Sequence, residues 1–113
     1  MKRVRALVLV ISFACALLPY VGSAQTKEDG IRLYKEANAL LSKARTPKDL
    51  SKALTKYEAA IGVFQKGGDT KGLGVATRKA GIVLDRLGQH DKAVEYYEKA
   101  LAISREAKDR KGL

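Results

Sequence analysis

Along the 113 residues of the chain, apolar side chains recur at steps of three and four in four stretches, a spacing that gathers them on one face of a helix. Leu50, Ala53, Leu54, Tyr57, Ala60, Ile61 and Phe64 form one stripe, and Ala93, Val94, Tyr97, Ala100, Leu101, Ser104 and Ala107 form another. Between them the pattern predicts a helix from about Lys71 to Leu87, with Leu73, Ala76, Ala80, Val83, Leu84 and Leu87 inward. Ahead of both it predicts a helix from about Lys27 to Ala44 carrying Ile31, Leu33, Tyr34, Ala37, Leu40 and Leu41. The stretch "RTPKD" separates the first two helices, and Pro47 suits a first helical turn. Gly88 is placed as a helix stop and Asp91 as the cap of the last helix. The expectation is an all-α fold of about four helices.

The two outer stripes belong to a repeat. Ser51 to Leu73 aligns without a gap on Asp91 to Leu113, with nine identities in 23 positions: Lys52/Lys92, Ala53/Ala93, Tyr57/Tyr97, Glu58/Glu98, Ala60/Ala100, Asp69/Asp109, Lys71/Lys111, Gly72/Gly112 and Leu73/Leu113. Leu54/Val94, Ile61/Leu101 and Val63/Ile103 exchange one aliphatic for another. The period is 40 residues, in the range of stacked helical arrays. "GDTKGL" at Gly68 to Leu73 reads as the connector between units: Gly68 ends a helix, Asp69 caps the next, and Leu73 opens its buried face. "KDRKGL" at the end of the sequence has the same form, as if at the start of a missing third unit. Gly81, in mid-helix, costs about 1 kcal/mol against Ala, which implies something packed tightly on it, such as a partner-helix Tyr.

The first 24 residues pattern differently. Lys2, Arg3 and Arg5 precede thirteen uncharged residues, Ala6 to Leu18, then Pro19 and the small run "GSA". This is the layout of a secretory signal peptide cleaved before Gln25, and it predicts a secreted or periplasmic protein. The alternatives are an uncleaved membrane anchor, for which the apolar run is short, and lipidation of Cys15, whose upstream Ser12 and Phe13 do not suit it. The expected organisation is a signal peptide over 1–24 and a helical repeat domain over 25–113, with units at about 27–68 and 69–109. Cleavage leaves 89 residues without a cysteine, and 19 basic against 12 acidic side chains, a net +7. That balance favours acidic partners or serves as a solubilising coat.

The stretch "AGIVLDRLGQHDKAVEYYEKAL", Ala80 to Leu101, resembles the tetratricopeptide repeat. Ala80 and Gly81 stand at the small positions of the first helix, Leu84 at the bulky position after them, and Gly88 in the turn. Ala93, Tyr97 and Ala100 take the small, aromatic and small places of the second helix, as Ala53, Tyr57 and Ala60 do one period earlier. The 40-residue period and the connector look like the kinesin-light-chain type, repeats of which also precede caspase-like protease domains in bacterial proteins. The first unit fits less well, its first helix and loop being longer by about four residues.

The resemblance implies tandem antiparallel helix hairpins in a right-handed α-solenoid, whose first helices line a concave groove for peptides or helices of partner proteins. The second unit would turn Val75, Arg78, Lys79, Ile82, Asp85 and Arg86 toward that groove. The asparagines with which the long-repeat type holds a ligand backbone are replaced here by Arg78 and Lys79, with Ile82 one turn on. A ligand held by charge and apolar contact, and possessing acidic groups, fits better than a gripped carboxyl terminus; a merely solvated basic face is the plainer alternative.

Catalytic chemistry has little to stand on. His90 beside Asp91 lacks the further ligands of a metal site and the nucleophile of a triad. "GDTKGLG" lacks phosphate-loop spacing, and Glu95 with Lys99 reads as a surface pair. The ridge Lys48, Lys52, Lys56, with Lys43 and Arg45 nearby, carries no interleaved aromatic platforms for nucleic acid. The sequence therefore predicts an exported, non-enzymatic module that binds a protein or peptide, with no cofactor or metal, no nucleic acid and no membrane span after cleavage. The alternative is the repeat portion of a longer exported protein, for example one with a caspase-like protease. Four helices leave the last one uncovered, so marginal stability or self-association is expected.

Overall fold

A computed structural model describes residues 26–112, with side chains described as far as Lys108; the expected signal peptide lies outside them. Four helices follow one another: α1 Lys27–Lys43, α2 Pro47–Gly67, α3 Thr70–Arg86 and α4 His90–Gly112. There is no strand among the described residues. Each helix packs on its neighbours in sequence, so α1 with α2 and α3 with α4 form two hairpins stacked through α2 and α3. The architecture is all-α, of the tandem-hairpin kind.

Local chemistry fixes the ends. At α2 the Asp49 amide donates to Thr46 Oγ1 (3.2 Å), while Asp49 Oδ2 accepts from the amides of Arg45 and Thr46 at 3.1 and 3.3 Å. These amide bonds, with Arg45 the strongest, hold the Asp49 carboxyl below its ordinary range. Pro47 occupies the first turn. Gly68 and Gly88 end α2 and α3 at φ of 71° and 82°, a left-handed conformation that side-chain-bearing residues resist. Beyond them the Asp69 amide reaches Phe64 O at 3.0 Å and the Gln89 amide reaches Leu84 O at 2.9 Å. Asp69 caps α3, accepting from the Gly72 amide at 3.0 Å.

Two expectations about ends are corrected. Asp91 lies inside the first turn of α4, which begins one residue earlier; there it complements the helix dipole without capping. "KDRKGL" does not repeat the connector's shape: α4 runs on through Gly112. Lys108 stands where Gly68 stands in the first copy, and a residue with a side chain does not supply the left-handed stop.

The core is built from small residues against rings. Ala37, Ala53, Tyr57, Ala60, Ala76, Ala80 and Val83 are wholly buried, and Phe64 and Leu84 nearly so. Tyr57 sits at the centre, its ring 5.8 Å from that of Tyr34 and its hydroxyl donating to Asn38 Oδ1. Burial pushes the Tyr57 hydroxyl up to about 12. On α3, a Cβ added to Gly81 would lie 2.8 Å from Tyr97 Cε1 and 3.3 Å from Tyr96 Cβ; Gly30 faces the Phe64 ring in the same way. Ala93 and Ala100 bring α4 close, while Tyr97 is half-buried. Three side chains expected inward lie outward instead: Ile31 on α1, and Val94 and Leu101 on α4, the latter two half exposed because no helix among the described residues covers them. Ser104 is exposed as well.

Gly81→Ala gains about 1 kcal/mol of helix propensity but forces the Tyr97 ring aside, an overpacking cost of about 1–3 kcal/mol. Net destabilisation is expected by denaturant melting, turning to stabilisation when the same change is made together with Tyr97→Ala. The raised Tyr57 hydroxyl gives a second expectation. Its folded value lies above its unfolded value near 10, so its contribution is intact below pH 10 and is lost as pH rises toward 12. Stability against pH should fall over that window, and Tyr57→Phe should flatten the fall.

Candidate functional site

The first helices of the two hairpins, α1 and α3, flank a cleft of about 260 Å³. Ile31 and Tyr34 come from α1, Gly72 and Val75 from α3, and the edge of the Phe64 ring lies at its back. Lys27 and Lys71 stand at its rim. Lys27 Nζ is 4.0 Å from Asp69 Oδ2, a loose pair at an exposed end. Lys71 is exposed and has no ion-pair partner among the described residues.

Of the groove residues expected from sequence, Val75 lies in this cleft and is half-buried. Arg78 is exposed one turn on, and Lys79 and Ile82 are half-buried further along α3. Arg78, Lys79 and Arg86 make no ion pair among the described residues. Asp85, the one acid in the set, is engaged elsewhere: its Oδ1 is 2.5 Å from His90 Nδ1 across the turn into α4. Its charge is thus tied to the turn, and the stripe of α3 beside the cleft keeps a positive excess.

Sequence reasoning missed Lys27, Ile31, Tyr34 and Lys71. The signal was there, in a different spacing. Gly30 and Ala37 on α1 meet α2 as Gly74 and Gly81 on α3 meet α4, an offset of 44 residues. At that offset Lys27 corresponds to Lys71, Ile31 to Val75, Tyr34 to Arg78 and Asn38 to Ile82. The expected longer first loop is not found: the connectors 44–46 and 87–89 are both three residues, and the difference from the 40-residue period lies in an extra first turn of α2, which begins at Pro47 whereas the copy of that position, Leu87, still precedes α4.

A larger furrow, about 560 Å³, opens on the other side, between α2 and α4. It exists because those helices have no close backbone contact, and Ile61, Leu73, Thr77 and Ile103 form its floor. Size alone does not make it the better site. Tyr96 donates to Glu58 Oε1 across it at 3.2 Å, and Lys99 lies 5.5 Å above the Tyr96 ring. Its acid and base are both already engaged. The Lys99 contact also replaces the expected Glu95–Lys99 pair, which is not among the described ion pairs.

The lysine ridge on α2 is interrupted. Lys56 binds Glu36 Oε1 at 3.1 Å, and Arg32 joins the same carboxylate at 3.2 Å. Together, Lys56 foremost, they hold Glu36 below its ordinary range. Lys48 and Lys52 remain exposed. Among the described residues no group of three His, Cys, Asp or Glu side chains is placed to hold a metal ion, and no helix is long and apolar enough to cross a membrane.

Compared with known families, the chain matches the tetratricopeptide repeat over residues 48–106, from the first turn of α2 to near the end of α4. No curated protein and no solved structure matches it significantly.

Proposed function

The chain belongs to the tetratricopeptide repeat family, and on that footing we propose that it is an exported interaction module that takes an acidic peptide or helix of a partner protein along α1 and α3. Members of the family are typically non-catalytic modules of protein–protein interaction. The observation that carries the finer reading is the conjunction of an apolar cleft, Ile31, Tyr34, Phe64 and Val75, with cations that have no ion-pair partner among the described residues, Lys71 and Arg78. An apolar anchor in the cleft excludes water, which strengthens the attraction between a flanking carboxylate and those cations. Arg78 can hold a carboxylate through two parallel hydrogen bonds. Export rests on the basic and apolar leader that ends in "GSA".

Capture of exported proteins by the immobilised chain, compared with a Lys71→Glu, Arg78→Glu variant, tests the groove. The wild type should retain an acidic partner at least about tenfold better, for the loss of two charge-assisted contacts. The variant should melt within about 0.5 kcal/mol of the wild type, since both side chains are exposed and make no ion pair among the described residues. Equal retention by the two proteins overturns the groove reading. For export, the chain recovered outside the cytoplasm should begin at Gln25; an intact leader there contradicts cleavage.

A further inference from the structure

Glycine weakens the interior of a helix, and in this stack it stands mostly where a side chain packs on it. Gly30 and Gly72 lie against the Phe64 ring, Gly74 against Ile103 and Gly81 against Tyr97. Gly62, inside α2, differs. A Cβ added there would meet nothing within 4 Å, although the residue is half-buried. The open space in front of it is the furrow of about 560 Å³ between α2 and α4. Helix stability is given up at Gly62 for no contact among the described residues, and close approach of a bound molecule to the backbone is the use that a glycine there serves.

The furrow has the volume of a small-molecule site, for which about 300–1,000 Å³ is usual. Its α2 wall, Glu58 to Gln65, spans two turns, about 10 Å. That is a short seat for a helix, and the Tyr96–Glu58 hydrogen bond lies across it. Ile61, Leu73 and Ile103 give an alkyl lining, and Thr77 on the floor spends its hydroxyl on Leu73 O at 2.7 Å. Glu58 holds the Tyr96 hydroxyl, and Lys99 lies over the Tyr96 ring. Those contacts disfavour a charged ligand, whose charge would be desolvated against groups already engaged. An uncharged ligand loses nothing by them. At the end away from Tyr96, Gln65 is exposed, and its side-chain amide makes no hydrogen bond among the described residues.

We propose that the furrow between α2 and α4 binds a small uncharged molecule, its alkyl or aromatic body lying along Gly62 on Ile61, Leu73 and Ile103, with one hydroxyl or carbonyl group meeting the Gln65 amide. The walls come from α2 and α4 and the floor from α3, so the site lies between the two hairpins and needs both. It shares no residue with the cleft between α1 and α3, and it is independent of the reading given to that cleft. The two sides of the stack divide by charge: acidic segments on one, uncharged molecules on the other.

The uncharged fluorophore phenylnaphthylamine, titrated into the full chain, tests this. Its emission should rise saturably, and octanol should displace it at concentrations at least about tenfold below octanoate or octylamine. Gly62→Leu fills the furrow from α2, and Ala102→Leu, at an exposed position, fills it from α4. Each should weaken dye binding at least about tenfold. Circular dichroism should show the fold kept in both, with Tm unchanged for Ala102→Leu and raised for Gly62→Leu, since leucine is the better helix former. Emission that does not saturate, or binding that neither variant weakens, overturns the proposal. So does displacement by octanoate or octylamine as readily as by octanol, which would make the ligand a charged one. Loss of the dye on Val75→Glu instead would place it in the other cleft, and a dimer in sedimentation that Gly62→Leu disperses would give the furrow to a second copy; either result overturns it too.

Discussion

Each hairpin closes because a residue with little or no side chain on its first helix meets an aromatic ring on its second. Gly81 lies against Tyr97, Gly30 against Phe64, and Ala37 in the cluster around Tyr57. The helix axes come near enough for the alanines at 53, 60, 76, 80, 93 and 100 to be buried outright or almost so, and the rings fill the volume left beside them. A methyl group in place of a glycine hydrogen at these points opens the hairpin, since close-packed interiors transmit such a change to their neighbours. The stacking of α3 on α2, the cleft beside it and the bare face of α4 all inherit their geometry from that contact.

Packing through sequence neighbours also explains why the two sides of the stack differ. With α2 and α4 out of close contact, a furrow is left between the second helices, and its polar rim satisfies itself through Tyr96 and Glu58. The first helices leave a narrower cleft with Lys71 at its rim and Arg78 one turn on, neither ion-paired among the described residues, while Asp85 of the same helix meets His90 in the turn. An interaction module needs groups open to partners, and Lys71 and Arg78 make no ion pair among the described residues. Size favours one side; unsatisfied chemistry favours the other.

Much of this was legible in the chain, for physical reasons that differ from residue to residue. The stripes of α2 and α3 could be read because both helices are covered on two sides, so each apolar residue in the pattern has somewhere to go. Gly68 and Asp69 could be read because a left-handed stop and a cap are local chemistry. Tyr97 beside Gly81 followed from the cost of a glycine in mid-helix. What failed to show was relational. Ile31, Val94 and Leu101 keep helical spacing, yet spacing does not say which end of a stack a helix occupies. The α1 side of the cleft was hidden by an extra first turn of α2, Pro47 to Asp49, which shifts Lys27, Ile31 and Tyr34 out of the 40-residue alignment. Lys108 in place of Gly68 was visible, but the identities around it suggested a turn where the backbone continues as helix.

The central claim is that partners engage the α1 and α3 side of the stack. Amide chemical shifts of the isotopically labelled full chain, followed during titration with a peptide of alternating glutamate and leucine, test it most directly. Saturable shifts at Ile31, Lys71, Val75 and Arg78, with Glu58, Ile61 and Tyr96 unmoved, are the result the account predicts. Shifts confined to Glu58, Ile61 and Tyr96, in the furrow between α2 and α4, would contradict it.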